Sequence, residues 1–309
     1  MLVMSFEKAI EIYLDWKTTH ASTAPDRYQR RLYQAAEYIG REKPLIEVTG
    51  NDIIQFHRHL EQSYFLKGAI SKKYSHATVA YSTRILKNFF MFWQGRGESK
   101  VNHKELRAIR YISPLKKIVT KEEFEQMSDS LEEVYFDDLG KKLLIHLLWD
   151  TGMRISELRD LNIADINPVH PQFGVRTANV RTRKTMRYNL VVWSKQTDQL
   201  LNQYLGVRLC MESKTDALFI NGKRHTAKQT TVRTLQRWIE SIAESIGLDE
   251  GITPHSFRHG KGHHILNTSG GNVRDIYAIL RHVRPESSFH YLALNETQFL
   301  QTAVKYLAA

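Results

Sequence analysis

The sequence predicts a mainly α-helical fold with a small β-sheet, arranged as an N-terminal helical bundle followed by a larger unit of mixed α+β character. Three observations carry this expectation. The 309 residues exceed one ordinary domain and are enough to fill two cores. Apolar residues recur at helical spacing through most of the chain, while residues 174–193 gather β-branched and aromatic residues into two runs about a short break. Between residues 98 and 118 the apolar rhythm gives way to Ser99, Lys100, Asn102, His103 and Lys104, and ends in Pro114, Lys116 and Lys117, the composition of an extended linker. The expected organisation is a helical domain at 1–98, a basic linker at 99–118 and a second domain at 119–309.

Composition narrows the function classes. Apolar residues at 42% and charged residues at 25% are ordinary for a globular protein and argue against disorder. No stretch approaches the roughly 18 apolar residues of a membrane span, and Glu7 and Lys8 bring charge too early for a signal peptide, so the expected location is cytoplasmic. Cys210 is the single cysteine, which excludes an internal disulfide and a thiolate zinc cluster. The net charge of +11 and pI near 9.5 favour a polyanionic partner, because a basic surface attracts phosphates and releases their counterions. That excess is uneven: residues 1–118 hold 20 Lys and Arg against 11 Asp and Glu, the remainder 24 against 22.

In the basic portion, Phe6, Ile10, Tyr13 and Leu14 mark a helix over 5–16, opened by Ser5. A second over 26–39 carries Tyr28, Leu32, Ala35, Ala36 and Ile39 on one face. Asn51 and Asp52 open a third through Ile53, Ile54, Phe56 and Leu60. Residues 67–75 read as a lysine-bearing loop leading to the strongest helix, 77–93, with Val79, Ile85, Leu86, Phe89, Phe90 and Trp93 in one stripe and Gly95 and Gly97 behind it. Lys72, Lys73, Arg84, Lys87, Lys116 and Lys117 are the candidate phosphate contacts, of the kind that position a nucleic acid without reading its sequence; a solvated basic face is the alternative.

After the linker, Thr120 and Glu123 form a capping box ahead of Phe124 and Met127. An apolar helix through 143–148 runs into Trp149, Asp150, Thr151, Gly152, Met153 and Arg154, and a second helix begins with Ser156 and Glu157 in its first turn. An arginine at a helix mouth suits an anion, since its planar fork can engage two phosphate oxygens. Amphipathic helices follow at 197–210 and 230–246, the second with Leu235, Trp238, Ile239 and Ile242 inward; the basic loop at 221–225 between them reads as a surface turn or a contact to nucleic acid. The last fifth holds His255, Ser256, Phe257 and Arg258, then Leu280, Arg281 and His282, then Tyr291.

Residues 151–158 closely resemble the first active-site box of the tyrosine recombinases, the lambda-integrase and Xer-like enzymes of DNA strand exchange. The resemblance continues down the chain. His255 to Arg258 match that family's His-x-x-Arg box, Leu280 to His282 match its Leu-Gly-His turn with Arg281 in place of glycine, and Tyr291 stands at the family's nine-residue step from His282. The resemblance is strong over residues 119–309 and general before them. It implies Arg154, Arg258 and His282 as phosphate-binding groups, Glu157 as a supporting acid, Tyr291 as nucleophile and His255 as its proton partner. A lysine in a β-hairpin turn would be the general acid, matched by Lys184, six residues before Leu190; this turn lacks glycine, and Lys195, Arg181, Arg183 and Arg187 are rivals.

A phenol with a reference pKa near 10 is a poor nucleophile at neutral pH, so a site built on tyrosine needs cations and proton carriers around the phosphate. The implied product is a 3′-phosphotyrosine and a free 5′-hydroxyl, a step requiring neither metal nor nucleotide cofactor; none of the glycine-rich nucleotide-binding motifs is present. The implied partners are double-stranded DNA and a homotetramer on paired sites, with an apolar tail helix from Gln298 to Leu307 docking on a neighbour or on its own chain. Alternatives are a type IB topoisomerase, a DNA-binding regulator without activity, and, for His255, His259 and His263, a metal site, which Arg258 among them disfavours.

Overall fold

The computed structural model describes residues 4–20, 25–67, 70–104, 106, 117–182, 187–211, 213–221, 227–248, 251–268 and 273–281. The chain forms two compact units, Met1–Leu115 and Lys116–Ala309.

The first unit is built on four helices: α1 (Phe6–His20), α2 (Pro25–Ile39), α3 (Gly50–Gln62) and α4 (His76–Gln94). The expected apolar stripes face one another, with Phe6, Ile10 and Tyr13 of α1, Leu32, Ala35 and Ala36 of α2, Ile53, Phe56 and Leu60 of α3, and six residues of α4 from Val79 to Trp93 in one core. Phe89 meets Phe6 at 5.7 Å and takes Tyr13 edge-on at 5.3 Å between ring centroids, so α1 and α4 interlock through aromatics. Ser5 caps α1 by accepting from the Lys8 N–H. Helix α3 departs from expectation at its start: Thr49, not Asn51, is the cap, and Asp52 completes a capping box with it. Residues 64–73, read as a loop beyond Lys67, instead form an antiparallel hairpin of β1 (Tyr64–Lys67) and β2 (Ile70–Lys73). Val101 and Leu106 pack into this unit's core, so the chain beyond Glu98 begins as part of it.

The second unit is organised around α6 (Phe136–Thr151), longer at both ends than its apolar centre suggests. It is buried on nearly all sides, as befits a central helix. Against it pack α5 (Lys121–Asp129), α8 (Lys195–Leu209), α9 (Val232–Ser245) and α10 (Pro254–Thr268). A short α7 (Ile155–Arg159) follows α6, and α11 (Val273–Ile279) follows α10. The expected strands form a hairpin of β3 (Thr177–Thr182) and β4 (Arg187–Val192), with Ala178, Val180 and Val191 turned into the core. A second small hairpin, β5 (Ile220–Asn221) with β6 (Lys228–Gln229), flanks the basic loop.

A buried polar network ties α8 to α6. His146, 2% exposed, receives Ser128 Oγ at 2.8 Å on Nε2, with Thr197 Oγ1 3.4 Å from Nδ1; Thr197 Oγ1 also donates to Asp150 at 2.6 Å. Burial pushes the His146 imidazole down to about 4, although Asp150 pulls the other way. The folded pKa thus lies below the ordinary 6.5 of an unfolded chain, which takes up the proton first. Stability from this group is intact above about pH 6.5 and falls towards pH 4, by roughly 3 kcal/mol in full. Urea midpoints of the intact chain are expected to drop between pH 7 and 4.5, and His146→Gln to flatten part of that slope; an unchanged slope in the variant contradicts the assignment.

Candidate active site

The end of α6 forms the first wall of the site. Gly152 caps α6 with φ of 57°, the left-handed region, and its N–H donates to Leu148 O at 3.0 Å. Thr151 Oγ1 accepts from the Met153 N–H, which reverses the chain into Arg154, the residue ahead of α7. Glu157, one turn on, accepts the Arg154 backbone N–H at 3.0 Å on one carboxylate oxygen and Arg154 Nη1 at 2.7 Å on the other. The same carboxylate therefore starts α7 and fixes the arginine's direction. Its side chain is 3% exposed, while that of Arg154 is 33% exposed. Burial raises the Glu157 pKa, but the Arg154 N–H and the two guanidinium groups of Arg281 and Arg154 outweigh it, and the carboxyl titrates below its ordinary value.

Helix α10 forms the second wall. Pro254 occupies its first position, where the missing N–H costs nothing, and the Thr253 N–H donates to Ser256 Oγ just ahead. His255 stands exposed in the first turn, and Arg258, three residues on, shares its side of the helix. Arg258 is 6% exposed. Its Nη1 donates to Gly152 O at 2.5 Å and its Nη2 to Leu280 O, so one guanidinium holds the α6 turn and the chain end beyond α11 together. His259 and His263 are half-buried, and burial lowers the His263 pKa. Among the described residues no group of three or more His, Cys, Asp or Glu could hold a metal ion.

The third wall is the turn after α11. Arg281 has φ of 53°, the left-handed conformation that the resemblance associates with glycine there; the arginine adopts it despite a cost of about 1 kcal/mol for a side chain. Packing enforces the turn: Leu280 is fully buried against Gly152, where an added Cβ would lie 2.4 Å from Leu280 Cδ2. Arg281 Nη1 donates to Thr151 O at 3.0 Å and Ile279 O at 2.8 Å, and Nη2 lies 3.5 Å from Glu157 Oε2. Burial lowers the Arg281 pKa, with Glu157 opposing.

A cleft of about 510 Å³ lies beside these turns, lined among others by Asp150, Thr151, Leu190, Lys261, Ile279 and Arg281. Two cations here escaped the sequence reading. Arg281 was visible only as a missing glycine, and Lys261, one turn beyond Arg258, had no signal beyond that spacing; burial lowers its pKa, with Asp150 opposing. The structure thus brings together Arg154, Glu157, Arg258 and the turn leading to His282. Lys184, His282, Tyr291, Lys116 and the tail from Gln298 to Leu307 lie outside the described residues. Lys72, Lys73 and Arg84 are exposed in the first unit, Arg84 over the Tyr81 ring at 5.3 Å, while Lys87 and Lys117 are half-buried.

Known proteins share both sequence and fold. The Phage integrase family matches residues 117–298. Tyrosine recombinase XerC of Roseiflexus sp. (strain RS-1) is 27% identical over 280 residues, covering 89% of this chain and 84% of that protein. XerC of Herpetosiphon aurantiacus is 26% identical over 305 residues, covering 90% and 94%. Among solved structures, the Tn1549 transposon integrase in complex with transposon right end DNA superposes with a TM-score of 0.72 at 16% identity, covering 99% of this chain and 100% of that one. XerH recombinase bound to its difH substrate gives 0.71 at 19% identity, covering 98% and 96%. With more than half its length inside the family match, the chain belongs to the phage integrase family and is a site-specific DNA recombinase of the tyrosine type.

Proposed function

We propose that the chain cleaves and rejoins double-stranded DNA through a 3′-phosphotyrosine formed on Tyr291. The Tyr291 oxygen attacks the phosphorus as the bond to the 5′-oxygen breaks; Lys184 protonates that oxygen, and His255 accepts the phenolic proton. Arg154, Arg258 and His282 stabilise the charge that builds on the non-bridging oxygens, a task for preorganised donors. Glu157 orients Arg154. The covalent link conserves the phosphodiester energy, so rejoining to another 5′-hydroxyl needs no nucleotide, and the cation set serves in place of a metal.

The observation supporting this reading most directly is Arg258, whose guanidinium binds the Gly152 and Leu280 carbonyls and so ties together motifs far apart in the sequence. The helical domain grips the duplex with Lys72, Lys73, Arg84 and Lys87; of the basic stretch at 99–118, whose Val101 and Leu106 belong to that domain's core, Lys116 and Lys117 contact the backbone; residues 119–309 perform the chemistry. Strand exchange joins four protomers on two DNA sites, and the lone Cys210 suits a cytoplasmic enzyme.

The test is covalent trapping. Full-length protein incubated in EDTA with sheared DNA of its source organism, then denatured and digested, is expected to carry a 3′-phosphonucleotide on Tyr291 by mass spectrometry. An adduct mapped to another residue, or a strict metal requirement, overturns the mechanism.

A further inference from the structure

We propose that Arg281 is a positioning residue of the reaction: it neutralises Glu157 through one carboxylate oxygen while the Arg154 guanidinium holds the other, leaving Arg154 a net positive charge for the scissile phosphate. The inference rests on the proposed role of Arg154. A buried carboxylate at 2.7 Å from a guanidinium cancels most of that cation's field, so Arg154 and Glu157 alone make a neutral pair. Among these three described residues, Arg281 Nη2, at 3.5 Å from Glu157 Oε2, changes the summed charge from zero to one positive.

The geometry gives Arg281 little other freedom. Its side chain is 8% exposed, and Nη1 is held by Thr151 O and Ile279 O, which aim Nη2 at Glu157. Nη2 meets Glu157 as an ion pair at 3.5 Å, and Glu157 in turn opposes the burial that lowers the Arg281 pKa. The backbone at this position is left-handed, where glycine sits without strain. An arginine there keeps the strain and adds a charge beside the first box.

A mere staple between two turns would also explain the carbonyl bonds, and a double-mutant cycle separates the two roles. Arg281→Gly suits the local backbone, so the variant is expected to fold. The probe is a suicide duplex carrying the site that the wild-type protein recovers from sheared source DNA, with the rate of covalent adduct read at saturating DNA. Arg281→Gly is expected to slow adduct formation about tenfold or more with DNA affinity nearly unchanged. Arg281→Lys should retain most of the rate. Adding Glu157→Gln to Arg281→Gly should restore much of it, because a neutral glutamine no longer cancels Arg154. Wild-type rates in Arg281→Gly, or a double variant slower than Arg281→Gly, overturn the proposal. An adduct persisting in Tyr291→Phe would instead remove the nucleophile assignment, and the Arg281 rate ratios would still be readable.

Discussion

Arg258→Lys, which keeps the charge, is expected to slow covalent DNA cleavage by on the order of 10²-fold or more and to lower stability by about 2 kcal/mol. The guanidinium is planar and donates in two directions, and it reaches Gly152 O and Leu280 O at once from a buried site on α10. A lysine has one nitrogen at the end of a flexible stem and can satisfy one carbonyl; the other is left buried without its charged donor. The turn before His282 then loses its tie to the turn before Arg154, and the groups assigned to the phosphate no longer share one frame. Misplacement by about an ångström is enough to cost that much in rate. Single-turnover cleavage and urea unfolding, measured on the same preparation, check the two effects. A variant that loses stability but cleaves at the wild-type rate would assign Arg258 to the fold alone.

How much of this could be read in the sequence depended on the range over which each feature is decided. The helical stripes of α1, α4 and α9 were legible because apolar spacing and burial coincide along one face. The β3–β4 pairing was legible for the same reason at period two. Arg154 and Glu157 stand one turn apart, so their ion pair follows from local geometry. The hairpin at Tyr64–Lys73 was not legible: its lysines resemble a loop, and Ser71, Lys72 and Lys73 indeed face solvent. The cap of α3 moved to Thr49 because two polar residues stood within reach of the same helix start. Least legible was the Arg281 turn. Its left-handed backbone is set by Leu280 seating on Gly152, a contact between segments that no local pattern announces. The family resemblance supplied what periodicity lacked, and the family match over residues 117–298 bears out the family itself.

Gly260→Ala is expected to destabilise the second unit by about 2–4 kcal/mol, although alanine favours helices over glycine by about 1 kcal/mol. At this point α10 lies against the extended segment ahead of α5. A Cβ on Gly260 would sit 1.9 Å from the carbonyl oxygen of Val119 and 3.3 Å from the Trp149 ring. The clash is with main chain, which cannot rotate away as a side chain can. The two segments must part, and parting weakens the hydrogen bond from the Val119 N–H to Ser256 O, now 3.1 Å, and loosens Trp149 from its stack on Phe124 at 5.0 Å. Gly206 in α8 is the internal control. An added Cβ there meets nothing within 4 Å, so Gly206→Ala should be neutral or slightly stabilising. Because α10 also carries Arg258, shifting the helix draws the guanidinium from Gly152 O and should reduce cleavage even where the protein remains folded. Thermal melts of both variants, with a melting temperature lower by about 5–12 °C for Gly260→Ala alone, check the packing argument, and equal melts would refute it.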